Sequence, residues 1–194
     1  MTALHELIAA RLCHDLASPL SAIGNGTSLL QAMPGDAEVA GMLGDTVATA
    51  QARLVLLRLA FGPADPGASV AGAEIAQALT RDPPAARLAV AWEATGPLPR
   101  LEGRAALLAL MCAASGCGAQ GRITVTRDAS GWTVSAEAPR PVALPAFWPV
   151  AQGAPPPDDL APRMVHFALL PLALAALGRR LDHDGPPEAF RLRF

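Results

Sequence analysis

The sequence predicts an α+β fold in which an N-terminal helical hairpin is followed by an α/β sandwich. Apolar residues recur at helical spacings over the first 61 residues, and helical and strand periods alternate beyond a linker rich in proline and glycine. The chain has 194 residues, 52% of them apolar and 16% charged, so it is long enough to bury a core. We expect residues 1–62 to form one domain and residues 68–194 a second one.

The first predicted element is a long amphipathic helix over residues 4–33. Its apolar residues are spaced by three, four and seven positions: Leu4, Leu7, Ile8, Leu12, Leu16, Leu20, Ile23 and Leu30. Pro34, Gly35 and Asp36 then break this helix and cap a second one that continues to Phe61. Because two helices with one apolar stripe each cannot enclose a core, we expect two hairpins to associate as a dimeric four-helix bundle.

The second half follows a linker over residues 62–67 and mixes short helices with strands. The expected elements are a helix over residues 73–80, a strand over 88–93, a helix over 103–115 and strands over 122–127 and 132–138. A proline-rich stretch, residues 139–162, leads to a helix over 163–177 and to a last strand or hairpin that ends at Phe194.

Composition excludes several classes of function. The net charge is -2, with no basic cluster, so nucleic acid is not an expected partner. Charged residues interrupt the first segment, and the apolar segment 165–177 is shorter than the roughly 20 residues that cross a bilayer, so neither secretion nor a membrane span is expected. Cys13, Cys112 and Cys117 have neither disulfide nor zinc-site spacing. We therefore expect a cytoplasmic protein.

His14 is the candidate nucleophile. On a helical wheel it lies about 160° from Leu12 and Leu16, so the imidazole should face water when those leucines face the core. Imidazole is largely neutral at neutral pH, and one ring nitrogen then keeps a lone pair that can attack phosphorus. The neighbouring Asp15 either orients the ring and stabilises its developing charge or is simply a solvated carboxylate. His14 and Asp15 are the candidate catalytic residues.

The residues around His14 suggest a surface that another protein can approach. Pro19 cannot donate a hydrogen bond to the carbonyl of Asp15, so a bend is expected beyond the histidine. Small polar side chains follow at four, seven and eleven residues from His14. Arg11, one turn earlier, either meets an acidic partner or is solvated. The candidate partner-binding residues are Arg11, Ser18, Ser21, Ala22 and Asn25.

The segment from Arg11 to Leu20, RLCHDLASPL, resembles the phosphoacceptor box of two-component histidine kinases, with its His-acid-Leu-x-x-Pro-Leu pattern. Together with the following SAIGNG and the layout of the chain, it is similar to the ChpT-type bacterial histidine phosphotransferases. This resemblance implies a dimeric hairpin and a second domain that resembles a degenerate histidine kinase ATP-binding domain and binds no nucleotide. It also implies that the phosphoryl donor is the receiver domain of a hybrid histidine kinase and that the acceptors are response regulator receiver domains.

The second half departs from an active kinase at the positions that would bind ATP. Residues 105–117 contain no asparagine, and residues 134–140, VSAEAPR, lack the Asp-x-Gly loop. With no phosphate cradle, we expect no cofactor on this chain and magnesium only in the acidic pocket of the receiver. Two alternatives stay open: an autophosphorylating kinase with a divergent ATP site, and a non-catalytic scaffold that binds receivers.

Overall fold

The computed structural model describes residues 3–194. The helices are α1 (Leu4–Ala32), α2 (Ala37–Phe61), α3 (Gly72–Arg81), α4 (Arg100–Cys117), α5 (Trp148–Ala151) and α6 (Val165–Ala175), with a 3-10 turn at Pro162–Met164 before α6. The strands are β1 (Ser69–Ala71), β2 (Arg87–Trp92), β3 (Pro97–Pro99), β4 (Gln120–Asp128), β5 (Gly131–Glu137), β6 (Asp182–Asp184) and β7 (Ala189–Arg193).

The N-terminal half is the expected hairpin of two long helices. At its start the side chain of Glu6 accepts a hydrogen bond from the backbone nitrogen of Ala3 at 3.1 Å. Gly35 makes the turn with a positive φ of 85°, and Asp36 then caps α2 by accepting from the backbone nitrogens of Glu38 and Val39 at 2.9 and 3.1 Å. These caps confirm the break and the capping residue that the sequence predicted.

The second half is built on a mixed five-stranded sheet with the order β2-β4-β5-β7-β6. Strands β2 and β4 are parallel, so α4 forms the crossover between them, and all other neighbours are antiparallel. The last strand proves to be a hairpin, β6 with β7. The pair β1–β3 and the four-residue helix α5 were not predicted, because elements this short show no period. The fold class is therefore confirmed as α+β, with a helical hairpin followed by a mixed sheet.

One hydrophobic core joins the two halves. Leu7 of α1 and Leu56 and Leu59 of α2 belong to the same buried cluster as α4, α6 and the inner face of the sheet. Two arginines of α4 add hydrogen bonds between the halves. The side chains of Arg100 and Arg104 donate to the carbonyls of Arg58 and Ala60, in the last turn of α2, at 2.9 and 3.1 Å. The hairpin is thus packed against the α/β region, which is the part of the chain from β1 onwards. The division into two domains at residues 62–68 stays a prediction.

Within residues 3–194, no helix has both the length and the apolar composition of a membrane-spanning segment.

Candidate phosphoacceptor site

The imidazole of His14 lies on the outer face of α1 with 83% of the side chain exposed, as the helical wheel predicted. Its Nδ1 is 3.1 Å from Oδ1 of Asp15. An ionised carboxylate can only accept, so this contact places the ring proton on Nδ1 and leaves the lone pair on Nε2. The nitrogen that can attack an electrophile is therefore the one that faces solvent.

Asp15 is held at both of its carboxylate oxygens. While Oδ1 meets His14, Oδ2 accepts from Nε of Arg11 at 2.5 Å. The side chain of Asp15 is only 17% exposed, which does not fit a freely solvated charge. Arg11 in turn donates through Nη1 to the backbone carbonyl of Arg163, in the turn that precedes α6. The orienting geometry expected of Asp15 is present, and its catalytic role stays a prediction.

The main-chain carbonyl of Asp15 has a separate partner. Since Pro19 lacks the N–H that would normally bond this carbonyl, the helix leaves an acceptor free at the residue that directly follows His14. Nη1 of Arg53, from α2, donates to it at 3.4 Å. Nε and Nη2 of the same guanidinium bind the carboxylate of Asp82 at 2.8 and 2.6 Å, at the end of α3. The hydrogen bond to Asp82 raises the pKa of Arg53.

Sequence reasoning missed Arg53 and Asp82. The available signal was the proline itself: a carbonyl deprived of its donor in a partly buried helix requires another one. The second helix of the hairpin packs beside this carbonyl, and Arg53 is the arginine of that helix whose side chain reaches it. Arg53 and Asp82 are 29 positions apart in the sequence, so no local pattern predicts that they pair.

The predicted partner-binding residues divide into two groups. Ser18, Ser21, Ala22 and Asn25 are exposed on α1, on the stretch that continues from His14. Ser18 and Ala22 also border a shallow groove between α1 and α2. Arg11 differs, because its side chain is 20% exposed and is bonded within the chain. Binding of a partner by these residues stays a prediction.

A cavity of about 400 Å³ lies behind the site, between the hairpin and the α/β region. Arg11, Asp15 and Arg53 border it on one side, and Ser115 and His166 border it on the other. Oγ of Ser115 lies 3.0 Å from Nε2 of His166, whose residue is 2% exposed. Burial, with a smaller contribution from the charge of Arg11, lowers the pKa of His166 to about 3, so this imidazole is neutral and structural.

Helix α4 occupies the place where the resemblance puts the nucleotide-binding helix of a kinase. The residues at positions 105–110 are buried and apolar, and they pack into the core. In the part of the chain that the structure describes, no group of three or more His, Cys, Asp or Glu side chains is arranged to hold a metal ion. The site that the geometry does form is therefore centred on His14.

The comparisons with known proteins agree with this fold. The family model for the histidine phosphotransferase C-terminal domain matches residues 72–188. The chain belongs to the histidine phosphotransferase family. The ChpT-type resemblance stated from the sequence is confirmed at the level of the family, by a model that covers the chain from α3 to β6 and does not include the first helix.

Two similar proteins extend the comparison of this chain. Over 61 residues it is 39% identical to the protein phosphotransferase ChpT of Brucella abortus (strain 2308), a match that covers 31% of this chain and 29% of that protein. The solved structure of a bacterial phosphotransferase aligns over 99% of this chain and 96% of that chain, with a TM-score of 0.74 and 22% identity. That structural likeness establishes a shared fold.

Proposed function

We propose that this chain is a phosphorelay intermediate of a two-component system, in which His14 takes a phosphoryl group from a receiver aspartate and passes it to another. The observation that supports this most directly is the phosphoacceptor geometry. The side chain of His14 is 83% exposed on α1, its Nδ1 is hydrogen-bonded to Asp15, and its Nε2 faces solvent. The function fits membership of the family and makes the chain a protein histidine phosphotransferase.

The transfer step follows from the two ring nitrogens. The lone pair of Nε2 attacks the phosphorus of an aspartyl phosphate, a P–N bond forms, and the P–O bond to the aspartate breaks, so that the aspartate leaves as a carboxylate. The ring becomes positively charged as it acquires the phosphoryl group. Because Nδ1–H points at the carboxylate of Asp15, that charge is stabilised where it develops. Reversal of the same step delivers the group to the second receiver.

A protein is the proposed donor because the chain shows no nucleotide machinery at the positions compared above. Residues 105–117 carry no asparagine, and the corresponding helix is largely buried in the core. Magnesium, which phosphoryl transfer requires, is proposed to lie on the receiver domain, where an acidic pocket supplies oxygen ligands. We place this reaction in the cytoplasm, and we expect a hybrid kinase receiver as donor and response regulator receivers as acceptors.

The docking face is proposed to continue along α1 from His14. Ser18, Ser21, Ala22 and Asn25 are small or short, and all four are exposed. Small side chains allow the backbone of a partner to approach closely, which brings the phosphoaspartate within reach of Nε2.

A homodimer is proposed from the apolar surface that the hairpin leaves exposed. Large apolar side chains remain uncovered on both helices, with exposed fractions from 46% to 64%: Leu20, Leu29, Met33, Met42 and Leu54. An ordinary surface has single apolar residues that are scattered, whereas five large ones lie on this hairpin. Packing of two hairpins into a four-helix bundle would bury them.

The dimer is tested by light scattering coupled to size-exclusion chromatography. Wild type should have twice the chain mass, and Leu20→Asp should have the mass of one chain. Leu172→Asp is the matched control, since Leu172 is 58% exposed on α6, outside the hairpin, and should stay dimeric. A wild-type protein with the mass of one chain at micromolar concentration would contradict the dimer.

The relay is tested with purified full-length chain, radiolabelled ATP and a panel of phosphorylated receiver domains. Label should appear only in the presence of a phosphorylated receiver, and His14→Ala should abolish it. His5→Ala, at another exposed histidine of α1, is the matched control and should transfer normally. Label taken from ATP alone would make the chain a kinase, whereas receiver binding without transfer would make it a scaffold.

A further inference from the structure

We propose that Arg11 is a positioning residue of the phosphoacceptor: it fixes Asp15 against His14 and links this pair to the turn that precedes α6. This inference rests on the proposed function of His14 and assigns to Arg11 a role within the chain instead of the predicted contact with a partner. It is carried by the contacts of one guanidinium group.

The guanidinium of Arg11 forms two bonds that fix its plane. Nε donates to Oδ2 of Asp15 at 2.5 Å, and Nη1 donates to the carbonyl of Arg163. Donors on a planar fork cannot rotate independently, so two acceptors on different elements determine the orientation of the whole group. With only 20% of its side chain exposed, Arg11 is directed at Asp15 and the turn before α6, and little of it is open to solvent.

The consequence for His14 passes through the carboxylate of Asp15. The terminal torsion of an aspartate is broad, so an unrestrained carboxylate samples many orientations. Arg11 holds Oδ2, and Oδ1 is then directed at Nδ1 of His14, 3.1 Å away. This bond sets the tautomer in which Nε2 carries the lone pair. Arg11 thereby favours the reactive form of a ring that it does not touch.

The link to Arg163 connects this alignment with the α/β region. The carbonyl of Arg163 belongs to the 3-10 turn at Pro162–Met164, which contacts α1 directly and leads into α6. A lysine at position 11 could neutralise Asp15, but a single ammonium on a flexible stem lacks the fork that reaches both acceptors in a fixed geometry. The requirement is therefore for arginine, and the turn acts as the second anchor of the phosphoacceptor.

The test uses phosphoramidate, which phosphorylates a histidine without a partner protein: the P–N bond to ammonia breaks as the P–N bond to Nε2 forms. Phosphohistidine formation is measured for the full chain and for Arg11→Gln, Arg11→Lys, Asp15→Asn and the Arg11→Gln/Asp15→Asn double variant. Arg122→Gln, at an exposed arginine of β4, is the matched control. Nitrogen-15 NMR of the His14 ring reports the tautomer in each protein.

Arg11→Gln should lower the rate about tenfold, Arg11→Lys should lower it less, and Arg122→Gln should leave it unchanged. In the Asp15→Asn background, Arg11→Gln should not lower the rate of phosphohistidine formation any further, because its effect passes through Asp15. The ring should change from the Nδ1–H form to a mixture of tautomers in Arg11→Gln. The proposal would be overturned if the rate losses of the two single variants multiplied in the double variant, or if Arg11→Gln left the tautomer of His14 unchanged.

Failure of the relay itself gives a different pattern. A wild-type chain that no phosphorylated receiver can label refutes the proposed function, whichever tautomer His14 adopts. A chain that receivers label equally well in wild type and Arg11→Gln, with His14 in the same tautomer in both, refutes only the role of Arg11. The two results are therefore distinguishable.

Discussion

Acid sensitivity should arise in large part from His166. Burial lowers its pKa to about 3 from an ordinary value of 6.5, so the unfolded chain takes up a proton at a pH where the folded chain does not. The stability that this neutral histidine allows is complete above pH 6.5 and is lost progressively as the pH falls from 6.5 towards 3. Integration of the linkage relation gives a loss of about 2 kcal/mol between pH 7 and pH 5.

The assay is urea unfolding at pH 7 and pH 5, followed by tryptophan fluorescence at one fixed chain concentration. Wild type should lose about 2 kcal/mol more than His166→Gln over this interval. His183, which stacks on Trp148, also has its pKa lowered by burial. His183→Gln is therefore the control for a less buried imidazole and should remove a smaller part of the pH dependence of stability than His166→Gln does. Equal pH dependence of wild type and His166→Gln, within about 0.5 kcal/mol, would refute the reasoning.

Four further predictions concern the stability of the fold. Arg53→Met leaves the mostly buried carboxylate of Asp82 without its two bonds and should destabilise by about 2–3 kcal/mol in urea unfolding, between the values for exposed and fully buried pairs. Arg104→Met removes the donor to the end of α2 and should cost about 1–2 kcal/mol in the same assay. Gly72→Ala should cost about 3 kcal/mol or more, since its Cβ would lie 1.7 Å from the carbonyl oxygen of Ala94. A Cβ at Gly24 would meet nothing within 4 Å, so Gly24→Ala should instead raise the free energy of unfolding by about 0.5–1 kcal/mol.

The parts of the fold that follow from a local period were predictable from the sequence. The hairpin was predicted because α1 and α2 repeat apolar residues over seven turns or more, and Asp36 supplied a local cap. The pair β1–β3 and helix α5 were not, because three or four residues do not establish a period. The strand order β2-β4-β5-β7-β6 depends on contacts between distant segments, which no local pattern contains.

The candidate site shows the same limit. The exposure of His14 followed from its angle to Leu12 and Leu16, and the contact with Asp15 was one of two alternatives that neighbouring positions allow. The partner of Arg11 was not predictable, because Arg163 is 152 positions away and contributes only its carbonyl. A backbone acceptor has no residue type, so composition cannot reveal it.

Both arginines near His14 are bonded to carboxylates of the chain, which suits the relay proposed for it. A free guanidinium beside the phosphoacceptor would bind the phosphoryl oxygens in a bidentate manner and stabilise the phosphorylated state. Here the guanidinium of Arg11 is bonded to Asp15 and that of Arg53 to Asp82, while Nε2 of His14 faces solvent. In the proposed relay, the ring of His14 would keep one hydrogen bond, from Nδ1 to Asp15, on the side away from the transferred group. With neither guanidinium free to bind the phosphoryl oxygens, this arrangement would support the attack without an added contact that retains the product.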